Sequence, residues 1–230
     1  MRTCKLLNRK GPPNESHRCH WPEGWDRQTT TAQNLSVAAI QAGHTVALVD
    51  LDSQPTSANW GDRRESEHPA VVSAQVARLR NVLSAAKKQG VTMAILDTPP
   101  RTAEGSLEAA KLADLVLVPV RPMVNDLETL KALKELVLFA GAPPTWVVIN
   151  AAPVQGDRDV EARQVAEALG FQVAPILLHQ RSAFGDAPAA GLGVTEYEPS
   201  GKAAEEVLGL YKFMSKQLKL QTPEPLRAHG

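Results

Sequence analysis

Residues 91–97 read Val-Thr-Met-Ala-Ile-Leu-Asp, a nearly unbroken apolar run that stops on a carboxylate. A half-exposed strand would alternate, so a continuous short run of this kind suits a strand covered on both faces. Similar runs lie at 45–49 (TVALV), 115–120 (LVLVPV) and 146–149 (WVVI). Residues 3–7 and 173–178 are further strand candidates, and 70–73 suits a short edge strand. Helical spacing fills the intervals. Across 75–89, Val76, Leu79, Leu83 and Ala86 recur at helical intervals, and across 159–169 Ala162, Val165, Ala166 and Leu169 share one face. Gly43, Gly90 and Gly170 each close a helical run ahead of a strand. Strands alternating with helices of this size predict an α/β fold with right-handed crossovers and a mostly parallel, twisted sheet flanked by helices.

The chain has 230 residues with no internal repeat or linker, which predicts a single domain over 1–220 and a flexible tail at 221–230 that contains Pro223 and Pro225. Hydrophobic residues at 43% and charged residues at 22% exclude a disordered or coiled-coil chain. Lys plus Arg equals Asp plus Glu at 25 each, which excludes an all-over basic coat but allows a local basic patch. Two cysteines cannot build a disulfide framework. Residues 1–10 do not lead into a long apolar run, so neither an export signal nor a membrane span is expected, and the reading is a cytoplasmic protein. The first thirty residues stand apart. They hold both cysteines, Trp21, Trp25, Pro12, Pro13 and Pro22, and the first alanine is Ala32.

In open α/β sheets, ligands bind beyond the carboxyl ends of the strands. The polar residues expected there are Asn8, Asp50, Asp52, Asp97, residues 119–122 and Asn150. Asp97 ends a buried strand, where a carboxylate either holds Mg²⁺ or caps the next turn. Thr29, Thr30 and Thr31 stand at the expected start of the first helix, as a hydroxyl for a metal or as a helix-capping cluster. Asp50 and Asp52 at a strand end are either site residues or solvated carboxylates. Asn150 is either a turn residue or a contact for a base.

Seven segments in order resemble the ParA/MinD-like P-loop ATPases, and especially the small ParA-type partition proteins. They are Asn8-Arg9-Lys10-Gly11; Thr29-Thr30-Thr31-Ala32-Gln33-Asn34-Leu35; Val49-Asp50-Leu51-Asp52-Ser53-Gln54; Ile95-Leu96-Asp97-Thr98-Pro99-Pro100; Val118-Pro119-Val120-Arg121-Pro122; Val148-Ile149-Asn150; and Gln180-Arg181-Ser182-Ala183-Phe184, followed by Gly191-Leu192-Gly193-Val194. The resemblance implies a P-loop NTPase-like fold that takes ATP and Mg²⁺. It implies that Gly11, Thr29, Thr30 and Asn150 contact nucleotide, and that Thr29, Asp50 and Asp97 serve the metal. By the same resemblance Asp52 orients the attacking water, and Lys10 reaches across a homodimer to the other subunit's nucleotide. The implied partners are a centromere-binding ParB-type protein and non-specific DNA, with the protein on the nucleoid or a plasmid.

One segment departs from that pattern. The family's phosphate loop, Asn-Gln-Lys-Gly-Gly-x-Gly-Lys-Thr-Thr, has only a short glycine-rich run between its first Lys and first Thr. Here residues 11–28 intervene between Lys10 and Thr29, Gln28 stands where the second loop lysine is expected, and no lysine occurs within 11–28. Pro12 and Pro13 also remove two amide donors from a loop whose function rests on converging N–H groups. Impaired nucleotide binding and near-background hydrolysis are expected. His17, Cys19, His20 and the upstream Cys4 match no closed zinc-site spacing, so a loosely packed loop is expected there.

A last helix is expected over 201–219, with a core stripe of Ala204, Val207, Leu208, Tyr211, Met214 and Leu218. Lys212, Lys216 and Lys219 run beside it, as a solvated basic face or as a contribution to phosphate-directed DNA binding. Pro223 and Pro225 interrupt any membrane-targeting helix beyond it, so no membrane role is expected. The competing readings are a non-catalytic interaction protein on the same scaffold and another MinD-like P-loop protein.

Overall fold

The computed structural model describes residues 26–52, 54, 56–98 and 103–220. The expectations for the strand at 3–7, for Asn8, Lys10 and Gly11, for most of the inserted loop 11–28 and for the tail 221–230 lie outside the described residues.

The first described element is helix α1 (Asp26–Gln41), followed by β1 (Val46–Asp50), α2 (Thr56–Arg63), β2 (Ala70–Ser73), a 3₁₀ turn (Val76–Arg78) and α3 (Leu79–Lys88). Then come β3 (Met93–Asp97), α4 (Ala103–Lys111), β4 (Val116–Val120), α5 (Val124–Phe139), β5 (Thr145–Ala152) and α6 (Arg158–Ala168). The chain continues through β6 (Gln172–Val173), β7 (Leu178–His179), α7 (Ala183–Ala189), α8 (Val194–Tyr197) and α9 (Lys202–Gln217). All the strand pairs among them are parallel. The four apolar runs fold as β1, β3, β4 and β5, and 70–73 is indeed an edge strand, beside β1.

Among the described residues the strands form two sheets rather than one: β2–β1–β3, and β4–β5–β6 with β7 also on β5. Helices nevertheless bridge the two. Leu35 and Ala38 of α1 and Val207 and Leu210 of α9 pack in one cluster with Val46, Ile95, Leu117 and Val148, which come from β1, β3, β4 and β5. On the opposite face, Leu79 of α3 and Ala109 of α4 pack on Val49 and Leu96. Leu130, Leu133 and Val137 of α5 cover Val116, Val118 and Val120 of β4 together with Ile149 of β5. Removing each of these valine, leucine and isoleucine side chains from water is worth about 1.5–3 kcal/mol, which holds the helices on the strands.

Several expected boundaries shift. Helix α1 is described from Asp26 onward, so Thr29, Thr30 and Thr31 lie inside it and not at its beginning. The strand candidate at 173–178 resolves into β6 and β7, with 174–177 leaving the ladder around Pro175. The last helix stops at Gln217, and Lys219 adopts φ 51° beyond it. Leu208 and Val165, expected in core stripes, are exposed at 42% and 41%, and Leu210 takes the buried place on α9. Each of the two expected stripes was drawn one residue too wide.

Candidate functional site

Asp50 is the last residue of β1 and Asp97 the last of β3, and the two strands are parallel neighbours. Their carboxylates therefore reach the same carboxyl edge, and both are buried, at 1% and 3% exposure. The backbone joins them as well, since Leu51 N–H donates to the Asp97 carbonyl at 2.9 Å. Asp50 is held from two sides. Its Oδ1 accepts the Asp52 N–H at 3.0 Å and its Oδ2 accepts the Ser57 N–H at 3.0 Å. Through the second bond Asp50 satisfies an otherwise orphan donor in the first turn of α2.

Ser57 is fully buried, and its hydroxyl donates to Asp97 Oδ2 at 3.4 Å. One serine thus touches both acids. Burial pushes the Asp50 carboxyl up from 3.8 to about 6, against the lowering effect of the backbone N–H groups of Asp52 and Ser57. Asp52, past the strand end, is half-buried, and its Oδ1 accepts the Gln54 N–H at 3.0 Å.

Of the α1 threonines, Thr31 lies close by. Thr29, Thr30 and Thr31 are all buried, and Thr31 lines the same cavity as Asp97. Asn34, one turn on, donates from Nδ2 to the Thr30 carbonyl at 2.8 Å and accepts the Val194 N–H on Oδ1 at 2.7 Å. That side chain fastens the first described turns of α1 to the start of α8. Asn150 is buried on β5, in the other sheet, and the strand continues two residues past it with Ala151 at φ 50°. At the carboxyl end of β4, Arg121 holds Asp126 of α5 by a two-pronged ion pair at 2.8 and 2.7 Å.

The structure thus brings Asp50, Asp52 and Asp97 together, with Thr31 of α1 on the cavity that Asp97 lines, and places Asn150 on the carboxyl half of the second sheet. Lys10 and Gly11 fall outside the described residues. Ser57 and Asn34 went unnoticed as site residues. A serine seven positions after a strand-end aspartate, and an asparagine one turn before the apolar run Val37–Ile40, were the available signals. The lysines expected on the last helix, Lys212, Lys216 and Lys219, are exposed. Among the described residues no helix is long and apolar enough to cross a membrane, and no group of three or more His, Cys, Asp or Glu side chains is placed to hold a metal.

No family model matches the chain. Its sequence is 28% identical over 193 residues to maintenance of carboxysome distribution protein A of Gloeobacter kilaueensis, a match spanning 83% of this chain and 88% of that protein. Its fold matches a chain of the MinC:MinD cell division protein complex of Aquifex aeolicus, with TM-score 0.68 and 13% identity over 90% of this chain and 96% of that one. It also matches the septum site-determining protein MinD of Pyrococcus horikoshii complexed with Mg-ADP, with TM-score 0.60 and 15% identity over 81% of this chain and 90% of that one.

Proposed function

We propose that this chain, ParA/MinD-like in sequence and in fold, is a partition-type positioning protein whose ATP site is complete at the strand ends and impaired at the phosphate loop. The observation that carries the reading is the convergence of Asp50 and Asp97 on Ser57 at the carboxyl edge, with Thr31 on the cavity beside Asp97. Supporting it are the relative whose name assigns it to carboxysome distribution and the MinD neighbour complexed with Mg-ADP.

The donor set fits Mg²⁺. It consists of hard oxygen ligands, two buried carboxylates on adjacent strands with a threonine hydroxyl nearby, as that ion prefers. Asp97 and Thr29 would hold the metal, and Asp50 would support it through the Ser57 contact. Bound Mg²⁺ supplies charge neutralisation at the phosphates. Asp52, being less buried than Asp50, is the carboxylate available to orient water, and Asn150 the side chain available to the base. What the chain lacks is the lysine charge before Thr29 and the glycine-lined amides, the groups that stabilise charge on a transferring phosphoryl group. Hydrolysis is therefore at or near background.

The working form under this reading is a homodimer, with Lys10 directed at the partner's nucleotide. The exposed Lys212, Lys216 and Lys219 offer phosphate contacts to non-specific DNA, and a ParB-type protein is the partner that links it to cargo. The test is a phosphate-release assay with Mg²⁺, ATP and DNA on the chain and on Asp52→Ala. Both should stay at background. A Mg²⁺-dependent rate in the chain that disappears in Asp52→Ala would overturn the impaired-site reading.

A further inference from the structure

Arg64, the residue that follows α2, is 2% exposed although it carries a charge. Burying an ion is unfavourable unless its donors are met. Here Nε and Nη2 donate to the His68 carbonyl at 3.3 and 3.0 Å, and Nη1 donates to the Gly191 carbonyl at 2.9 Å. Nη1 and Nη2 also reach the two Glu196 carboxylate oxygens at 2.8 and 2.7 Å. The guanidinium lies 4.7 Å from the centre of the Trp60 ring. Within α2, Trp60 Nε1 donates to the Leu192 carbonyl and Arg63 Nε to the Pro188 carbonyl, both at 3.2 Å. A helix of eight residues is too short to be stable alone, so contacts of this kind decide where α2 sits. They hold its last turn to residues 188–196. Its first turn carries Ser57, which meets both Asp50 and Asp97.

The segment that receives α2 is also fixed to α1. A Cβ on Gly191 would stand 2.5 Å from the Arg63 carbonyl oxygen, and one on Gly193 would stand 3.0 Å from the Val37 side chain, so the turn is wedged between the two helices. Glu196, besides gripping Arg64, accepts the Gly193 N–H at 2.9 Å. One residue on, Val194 N–H donates to Asn34, whose amide donates in turn to the Thr30 carbonyl. A continuous path of named bonds therefore runs from the two acids through Ser57, α2, Arg64 and Glu196 to the threonine turn of α1. We propose that Arg64 is a positioning residue for the divalent-cation site, setting the distance between the carboxylates and the α1 threonines by clamping α2 to residues 191–196. The proposal rests on the reading of Asp97 and Thr29 as metal-holding residues given above.

The test titrates the full chain with Mn²⁺ at pH 8, following free Mn²⁺ by electron paramagnetic resonance. The parent should bind, and Asp97→Asn should abolish the binding, which locates it. Arg64→Met should bind at least about tenfold more weakly, as expected when a group that orients metal ligands is lost. Glu196→Gln, which keeps the shape of the clamp, should weaken binding at least about threefold, and it decides the matter if Arg64→Met does not fold. Val137→Ala, a cavity in the core under α5, supplies the control, because it lowers the urea midpoint without touching this path. Its Mn²⁺ affinity should equal the parent's. Unchanged affinity in the folded Arg64 and Glu196 variants, or an equal loss in Val137→Ala, overturns the proposal and leaves the site reading standing. A parent that binds no Mn²⁺, or binds it equally in Asp97→Asn, overturns both.

Discussion

Asp50 is a carboxylate buried to 1% exposure with its pKa pushed from 3.8 to about 6, and its removal yields a signed prediction. A group with a raised native pKa binds its proton more tightly when folded. Its favourable contribution is complete below pH 4 and is lost as pH rises through about 6. A shift of about 2 units corresponds to about 3 kcal/mol of penalty for the ionised form at pH 8. In Asp50→Asn that penalty goes. The amide oxygen still accepts one of the two backbone N–H groups, from Asp52 or Ser57, and the unsatisfied second costs about 1 kcal/mol. We predict that Asp50→Asn is more stable than the parent by about 2 kcal/mol at pH 8 in magnesium-free buffer. At pH 4 the gain should vanish or reverse. Urea unfolding at both pH values measures this. A destabilised variant at pH 8, or a difference that does not change with pH, would show that burial does not govern this carboxylate.

Other positions give independent tests by the same unfolding measurements. Gly191 sits at φ +71° with Arg63 O only 2.5 Å from where a Cβ would stand, so Gly191→Ala should cost at least about 2 kcal/mol; a neutral result contradicts the packing of α2 against that turn. Trp60 is fully buried and donates to the Leu192 carbonyl at 3.2 Å, so Trp60→Ala should cost about 3–5 kcal/mol and Trp60→Phe much less. Burial raises the Glu206 carboxyl, but hydrogen bonds from Arg181 and His179 outweigh it and hold the group below its ordinary value. Its stabilisation should therefore be present above the ordinary carboxylate range and be lost on acidification, and Glu206→Gln should flatten that part of the acid-unfolding curve.

The strands were legible because a strand covered on both faces must be apolar along its length, and β1, β3, β4 and β5 follow that pattern closely. The strand-end acids were legible for the complementary reason that the apolar run has to stop where the ladder meets solvent or ligand. Helix faces were read less well. Val165 and Leu208 look like core by spacing, yet exposed aliphatic side chains are common enough that spacing alone does not assign the edge of a stripe. Thr29, Thr30 and Thr31 were read as the start of α1 although they lie inside it, because a threonine cluster fits both a cap and a helix interior. Ser57 escaped notice because its partners, Asp50 and Asp97, are joined by the pairing of β1 with β3, which sequence spacing does not display.

The central claim is that the lesion in the ATP site is local to residues 11–28. Replacing that segment by Gly-Gly-Val-Gly-Lys restores the glycines and sets a lysine directly before Thr29, leaving Asp50, Asp52, Asp97 and Asn150 untouched. Isothermal titration of both proteins with ATP and Mg²⁺ tests the claim most directly. The repaired chain should bind near 1 μM, about −8 kcal/mol. The parent should bind at least about tenfold more weakly, a gap of about 1.4 kcal/mol and a cautious minimum for the loss of one charged donor and several amides. Equal affinities for the two proteins would contradict the claim, whether both bind tightly or neither binds at all.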